Sequence, residues 1–288
     1  MAHHHHGHSH SHDIGHIESA ARTQWEKIAP APRSLAGFDE LAVRLCMAQA
    51  AHRPCAKPAA GLHFNAEISA SAISASRNAL STALQVPYEV VALQPVPGNE
   101  TLSLPNARAA MKAGSTAASL VMKEGAKVVL LSMNPFPKEN AAALLSWLFE
   151  IDIEKAVACF CRAPDDAAIN NAVQVKNSIE QRQNPVAGFA AFGNIELLAI
   201  TGAVLQAGSH GRAVLFDGLA SALGGAAAAK IDPSVKHSMF AAADEKQRDA
   251  LIGLEITPVF TNPGGAGVGA LLALHQLGLA ADLMNNTS

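Results

Sequence analysis

The sequence predicts an α/β protein in which helices cover both faces of a parallel sheet. Apolar residues make up 49% of the chain and aromatic residues only 5%, a balance that suits helices packed closely on a sheet. From residue 88 onward, short apolar runs alternate with helical stretches, which is typical of strand–helix–strand units. Gly193, Gly218, Gly224 and Gly225 stand where predicted strands give way to helices, and doubly wound sheets bind their ligands at such places.

Helices come first along the chain. Apolar residues between 35 and 45 recur at helical spacing after Ser34, with Asp39 and Glu40 early in the run, as expected for a helix that starts there. Residues 52–61 contain two prolines and end this region, and residues 68–84, rich in Ala and Ser, form a predicted small-faced helix.

The alternating region then supplies the sheet. We predict strands at residues 88–93, 127–132, 156–161, 186–192, 213–216 and 238–242, where apolar or β-branched residues run together. We predict helices at residues 104–124, 140–149, 165–183 and 195–207. The last segment, residues 264–283, is a glycine-rich turn followed by an apolar helix.

Composition and charge argue against several classes of protein. The net charge is −3 and no basic cluster is present, so a nucleic-acid partner has no support. No apolar run approaches ~18 residues and the N-terminus lacks the apolar centre of a signal peptide, so we predict a cytoplasmic protein without a membrane span. Cys159 and Cys161 would face one side of a predicted strand, and we expect buried reduced thiols there. No metal or cofactor is predicted.

The N-terminal segment, residues 1–18, is rich in histidine. Eight of the 13 histidines lie between His3 and His16. A purification tag is the first interpretation of such a run, and a native metal-binding arm is the alternative.

Five segments together resemble a known family. They are residues 34–42 (SLAGFDELA), 192–196 (FGNIE), 201–205 (TGAVL), 214–218 (VLFDG) and 265–273 (GAGVGALLA). In this order and at these distances they resemble the CobT-like nicotinate mononucleotide:5,6-dimethylbenzimidazole phosphoribosyltransferases of cobamide synthesis. The resemblance implies a Rossmann-like domain at residues 61–254, a small helical domain built from residues 19–60 and 255–288, and dimerisation.

The departures from the family pattern concern catalysis. The glutamate that acts as the family's general base falls on Ala266, and a methyl group cannot take a proton; losing such a base costs ~10²–10⁴-fold in rate. A second acidic position falls on Met133, and the phosphate loop that follows contains Pro135 and Pro137 in place of glycines, although such loops depend on inward-facing N–H groups. Residues 161–164 differ as well, so the resemblance implies no catalytic residue in this chain.

A vestigial nucleotide or base crevice is predicted from the matching positions. Its members are glycines and acidic residues at predicted strand–helix junctions: Gly193, Glu196, Asp217, Gly218, Gly265 and Gly267. For the two acids a structural role stays open beside ligand binding, since Asp217 is placed to cap a helix and Glu196 to complement a helix dipole.

The chain looks most like the B subunit of the phenol- and p-cresol-activating ArsAB heterodimer. This resemblance implies a catalytic CobT-like paralogue, the A subunit, as partner. That partner would bind most of the nicotinate mononucleotide and the phenolic or benzimidazole base. Two alternatives remain: an independently active transferase with a replacement base such as Glu139, and a protein that binds a nucleotide or base without chemistry.

Overall fold

The computed structural model describes residues 9–28, 37–66, 73–94, 102–161, 163–179, 184–191, 194–261 and 265–286. The helices are α1 (Ser9–Ile28), α2 (Phe38–Gln49), α3 (Ile73–Leu84), α4 (Leu104–Lys123), α5 (Lys138–Phe149), α6 (Ile153–Phe160), α7 (Asp166–Ile179), α8 (Pro185–Ala191), α9 (Ile195–Gly208), α10 (Leu219–Ile231), α11 (Glu245–Gly253) and α12 (Val268–Asn285). The strands are β1 (Ala59–Asn65), β2 (Tyr88–Ala92), β3 (Val128–Met133), β4 (Ala213–Phe216), β5 (Met239–Ala243) and β6 (Thr257–Phe260).

The six strands form one parallel sheet in the order β2-β1-β3-β4-β5-β6. The chain turns back at β1: β2 lies on one side of it, and β3 to β6 follow one another on the other side. This confirms the predicted α/β class. Since all strands run the same way, their carboxyl ends lie at one edge of the sheet, where doubly wound folds place their ligands.

Two apolar cores cover the two faces of the sheet. One core packs α4, α9 and α10, with the helices around them, against alternate strand residues such as Val129 and Leu131. The other packs α1, α2, α3 and α12 against the intervening residues Val128 and Leu130. Because successive strand residues point to opposite faces, both faces of β3 are apolar and all of its residues are buried.

The terminal helices meet on this second face. Residues 19–60 and 255–288, assigned from the sequence to a small helical domain, supply α1, α2 and α12, which belong to one core. The same ranges also contain the start of β1 and all of β6. The division into domains therefore stays a prediction.

Capping side chains start several of the helices. Asp152 accepts hydrogen bonds from the N–H groups of Glu154 and Lys155 at the start of α6. Asn194 accepts one from Leu197 N in α9. Such caps satisfy N–H groups that have no partner inside the helix.

Two predicted strands are wrong. Residues 156–161 belong to α6 and its end, and residues 186–192 coincide with α8 up to Ala191. A short continuous apolar run does not distinguish a buried strand from a helix, and the Asp152 cap decides for helix in the first case. Cys159 and Cys161 are consequently half-buried instead of lining a strand; Cys46 is the buried thiol among the four free cysteines.

The prediction that Gly224 and Gly225 stand at strand–helix junctions is also wrong. Gly224 and Gly225 lie inside α10, not at its start. A Cβ at Gly224 would crowd Ile200 of α9, and one at Gly225 would overlap the ring of Phe216. These glycines serve close packing of α10 on its neighbours.

Helices α4 and α9 touch through their backbones. A Cβ at Gly114 would overlap the carbonyl of Ala199, and a Cβ at Gly202 would overlap the carbonyl of Met111. Each helix therefore supplies the glycine that lets the other approach.

Helix α12 is long and apolar enough to span a membrane by length and composition, and it is the one such helix in the described part of the chain. Half of it is buried inside the protein, as the central helix of the second core.

Candidate functional site

Polar side chains meet at the carboxyl edge of the sheet, on the face covered by α3 and α12. His63 of β1 lies opposite Ser132 of β3 in the parallel register. Their neighbours Leu62, Phe64 and Leu131 point to the other core. His63 and Ser132 are both buried, so their polar atoms need partners inside the protein.

These partners form a continuous set, which we call the polar row: Tyr88, Ser132, His63, Asn134 and Asn65. Tyr88 Oη lies 2.9 Å from Ser132 Oγ, which lies 3.0 Å from His63 Nδ1. His63 Nε2 lies 3.2 Å from Asn134 Oδ1, and Asn134 Nδ2 donates to Asn65 Oδ1 at 2.6 Å. The polar row thus links an edge strand to the ends of β1 and β3.

The charge on His63 sets the direction of these bonds. Burial lowers the pKa of His63 to about 4, and the positive charge of Arg77 lowers it further, against the bond to Asn134. The ring is therefore neutral at pH 7, with one donor and one acceptor nitrogen. Asn134 Oδ1 can only accept, so Nε2 donates, Nδ1 accepts from Ser132, and Ser132 accepts from Tyr88.

Arg77 of α3 lies beside the polar row and is 5% exposed. Its guanidinium stands 5.3 Å from the centroid of the Tyr88 ring, and Nη1 donates to the carbonyl oxygen of Ala266 at 3.4 Å. Its buried Nε has no hydrogen-bond partner in the described chain. The cation is thus contacted by an aromatic face and a long hydrogen bond, and its charge also acts on Asp217.

Asp217, directly after β4, fixes the start of α12. Its carboxylate accepts hydrogen bonds from Gly267 N at 2.7 Å and Ala270 N at 3.0 Å. Burial raises the pKa of Asp217 to about 6, although the N–H groups of Gly267, Ala270 and Gly269 and the charge of Arg77 act in the opposite direction. Asp217 therefore caps a helix whose N-cap residue, Gly267, lies 50 residues further along the chain, not the helix that follows it.

A cleft of about 300 Å³ opens beside these groups. Its lining comes from the end of β3, the loop before α5, and the starts of α10, α11 and α12: Met133, Asn134, Pro135, Phe136, Lys138, Phe160, Asp217, Gly218, Leu219, Ala220, Ser221, Gln247, Gly265 and Ala266. Asp217 is the one carboxylate among these described lining residues, and it is already occupied by α12.

The structure brings most of the predicted crevice together. Asp217, Gly218 and Gly265 line the cleft with Ala266 and Met133. Gly267 lies next to them as the N-cap residue of α12, with a positive φ of 98°.

Of the other two predicted crevice residues, one lies away from the cleft and one is not described. Glu196, in the first turn of α9, accepts a hydrogen bond from Ala66 N at 3.2 Å, which ties α9 to the end of β1. It does not line the cleft among the described residues. Gly193 lies outside the described residues.

The sequence did not point to the polar row. His63 has no acid or nucleophile at motif spacing, and its partners are 69 and 71 residues away. The available signal was a histidine flanked by Leu62 and Phe64, which marks a polar position inside a buried strand once β1 is recognised. Among the described residues, no three His, Cys, Asp or Glu side chains converge as metal ligands.

Comparisons with known proteins identify the family and the fold. A family model described as phosphoribosyltransferase matches residues 96–288. The fold resembles the crystal structure of CobT from Thermus thermophilus, with a TM-score of 0.77 and 21% identity over 94% of this chain and 96% of that one.

Two relatives carry the name nicotinate-nucleotide–dimethylbenzimidazole phosphoribosyltransferase. The one from Nitratidesulfovibrio vulgaris (strain DP4) is 35% identical over 124 residues, which are 41% of this chain and 34% of that protein. The one from Escherichia coli (strain K12 / DH10B) is 32% identical over 155 residues, 51% of this chain and 43% of that protein. The matched region thus spans less than half the length of either relative.

Proposed function

Because the chain belongs to the phosphoribosyltransferase family whose model matches residues 96–288, we propose that it is the non-catalytic subunit of a heterodimeric phosphoribosyltransferase. The pair transfers phosphoribose from nicotinate mononucleotide to a phenolic or benzimidazole base, the lower ligand of a cobamide, and releases nicotinate. A CobT-like paralogue in the same cytoplasmic complex binds both substrates and supplies the general base of catalysis.

One observation carries this proposal: among its described lining residues, the cleft has no free base. Ala266 and Met133, at the two positions where the family has acids, are 5% and 7% exposed and cannot take a proton. The Asp217 carboxylate already accepts two N–H groups of α12. An acid engaged in this way is a poor general base, because accepting a proton weakens both bonds.

The phosphate side of the cleft gives a second reason. The N-cap residues of α5 and α10 are Pro137 and Gly218, and neither helix start has a side-chain cap. Pro135 lines the cleft, and Lys138 is its one described cation. Proline supplies no N–H for a phosphate cradle, so this side is weak for a mononucleotide.

The direct test is phosphoribosyl transfer from nicotinate mononucleotide to phenol and to dimethylbenzimidazole. The chain is assayed alone and with its CobT-like paralogue, and nicotinate and α-ribotide are both quantified. We expect no turnover by the chain alone, and turnover by the mixture above that of the paralogue alone. Turnover by the chain alone would overturn the proposal.

Two variants separate this role from the alternatives. Glu139→Gln removes the remaining acid in the first turn of α5, and Lys138→Met serves as its neighbour control. In the non-catalytic role, both variants leave turnover by the mixture unchanged within about twofold. A selective loss with Glu139→Gln of ~10²-fold would identify Glu139 as a replacement base. Saturable mononucleotide binding to the chain, with no effect on the paralogue, would instead favour a binding protein.

A further inference from the structure

Tyr88, the one tyrosine of the chain, occupies a place shaped around its ring. The ring lies over Gly61 of β1, where any Cβ would overlap it. The Arg77 guanidinium also stands over the ring, 5.3 Å from its centroid. A strand glycine often marks the close approach of another group, and here the group is the aromatic side chain of the neighbouring strand.

The phenol end of this place is polar. Tyr88 Oη lies 2.9 Å from Ser132 Oγ, the start of the polar row. A Cβ at Gly267 would overlap the same phenol oxygen. Burial raises the pKa of Tyr88, so the hydroxyl stays protonated and donates to Ser132. The surroundings, which we call the slot, therefore offer two glycine positions that leave room for the ring and its hydroxyl, a cation over the ring and one acceptor for a hydroxyl.

The position of this slot relative to the cleft matters. Gly267 follows Ala266, which lines the cleft, and Arg77 donates to the Ala266 carbonyl oxygen. Ser132 precedes Met133, which lines the cleft as well. The Tyr88 ring thus lies directly behind the two positions where the family has its acids.

We propose that the Tyr88 side chain occupies, from within the chain, a pocket built for a single-ring phenol and so keeps an aromatic acceptor out of this subunit. Tyrosine ends in such a phenol, so Tyr88 satisfies every feature of the slot. The description of the excluded molecule as an acceptor rests on the proposed function; the pocket itself does not.

The test removes the Tyr88 ring and then adds a free aromatic molecule to take its place. Tyr88→Ala deletes the side chain beyond Cβ. Phenol and toluene are the probes, and their binding is measured by calorimetry and by the shift of the thermal midpoint. We expect no saturable phenol binding to the unchanged protein and saturable binding to Tyr88→Ala. Phenol should bind about tenfold more tightly than toluene, because one hydrogen bond to Ser132 distinguishes them. In Tyr88→Ala with Ser132→Ala, that preference should disappear.

Phe240→Ala is the matched control for a generic cavity. Phe240 is fully buried in β5 on the same face of the sheet, and its neighbours in that core are apolar. A cavity there has no hydroxyl acceptor and should favour toluene, since dry apolar cavities bind apolar rings. If Tyr88→Ala shows the same toluene preference, the proposal is wrong. Phenol binding to the unchanged protein would overturn it too.

A folding failure does not leave the question open. Circular dichroism checks each variant, and if Tyr88→Ala is unfolded, Tyr88→Val is measured in its place, since valine suits a strand and still opens the outer part of the slot. All of these measurements use the protein without its paralogue. A failure of the transfer assay therefore leaves the pocket result intact, and a failure of phenol binding leaves the subunit role intact.

Discussion

The polar row and the cleft lie side by side at the carboxyl edge of the sheet, yet they use their residues in opposite ways. In the polar row, buried and half-buried groups are joined from Tyr88 to Asn65 by four contacts of 2.6–3.2 Å. In the cleft, about 300 Å³ of open space is lined mainly by apolar side chains and backbone. The polar chemistry of this edge is therefore engaged inside the protein, where it holds structure together.

Two residues show how the lining of the cleft takes part in this internal bonding. Asn134, a member of the polar row, and Asp217, which caps α12, both line the cleft and bond inward. Asp217 is the one carboxylate among the described lining residues, and its oxygens accept N–H groups of α12.

The largest expected difference in the free energy of unfolding is between alanine variants of two glycines in one loop. Gly267 has φ 98° and lies against Tyr88, whereas Gly265 has φ 69° and open space where a Cβ would be. Gly267→Ala combines backbone strain with overpacking and should lower the free energy of unfolding by ~3–4 kcal/mol. Gly265→Ala carries strain alone and should cost ~1 kcal/mol. Urea unfolding of both variants measures this, and equal losses would show that the loop is not packed against the polar row.

A second comparison uses pH. The pKa of His63 is about 4 against an ordinary 6.5, so its contribution to stability is present above 6.5 and is lost as pH falls toward 4. The pKa of Asp217 is about 6 against an ordinary 3.8, so its contribution is present below 3.8 and is lost as pH rises through 6. The two effects oppose each other over the same range and largely cancel in the unchanged protein.

Single variants should separate the pH dependence due to His63 from that due to Asp217. Relative to the unchanged protein, the free energy of unfolding of Asp217→Asn should rise by ~3 kcal/mol from pH 4 to pH 7, and that of His63→Gln should fall by about as much. Denaturant titrations at several pH values give the two slopes. Parallel profiles for all three proteins would contradict the burial of these groups.

The smallest expected difference compares a hydroxyl of the polar row with a charge of the cleft. Ser132→Ala leaves Tyr88 Oη and His63 Nδ1 without their partner and should cost ~1–2 kcal/mol. Lys138→Met removes an exposed cation at the cleft and should change stability by less than ~0.5 kcal/mol. Thermal unfolding of both variants decides this, and a neutral Ser132→Ala would mean that water or rearrangement replaces the lost bonds.

Much of the fold follows from the sequence, and the exceptions have physical causes. Continuous apolar runs identified β3 and β4 correctly, because strands buried on both faces carry no polar alternation. The same rule failed for α6, whose run of residues 156–161 is equally apolar. Strand β1 was missed because Ala59 and Gly61 have weak strand propensity. Strand β6 was missed because it contains Pro258, which an edge strand tolerates.

The candidate site was predictable only in part. Asp217, Gly218 and Gly265 follow from motif positions along the chain, and they do line one cleft. The polar row depends on the pairing of His63 with Ser132 across the sheet, and register between distant strands is not visible in a single sequence. Arg77 and Tyr88 could not be paired for the same reason, since α3 and β2 reach the site from different elements.

The backbone contact between α4 and α9 sets a rule for exchanging parts of this protein. Gly114 and Gly202 each leave room for the other helix, and no side chain stands between them that could adjust its rotamer. A helix taken from a relative can therefore replace α4 only if the incoming segment also carries glycine at position 114, or if its own partner helix is moved with it. In chimeras, α4 and α9 form a single transferable piece, although 71 residues separate the end of one from the start of the other.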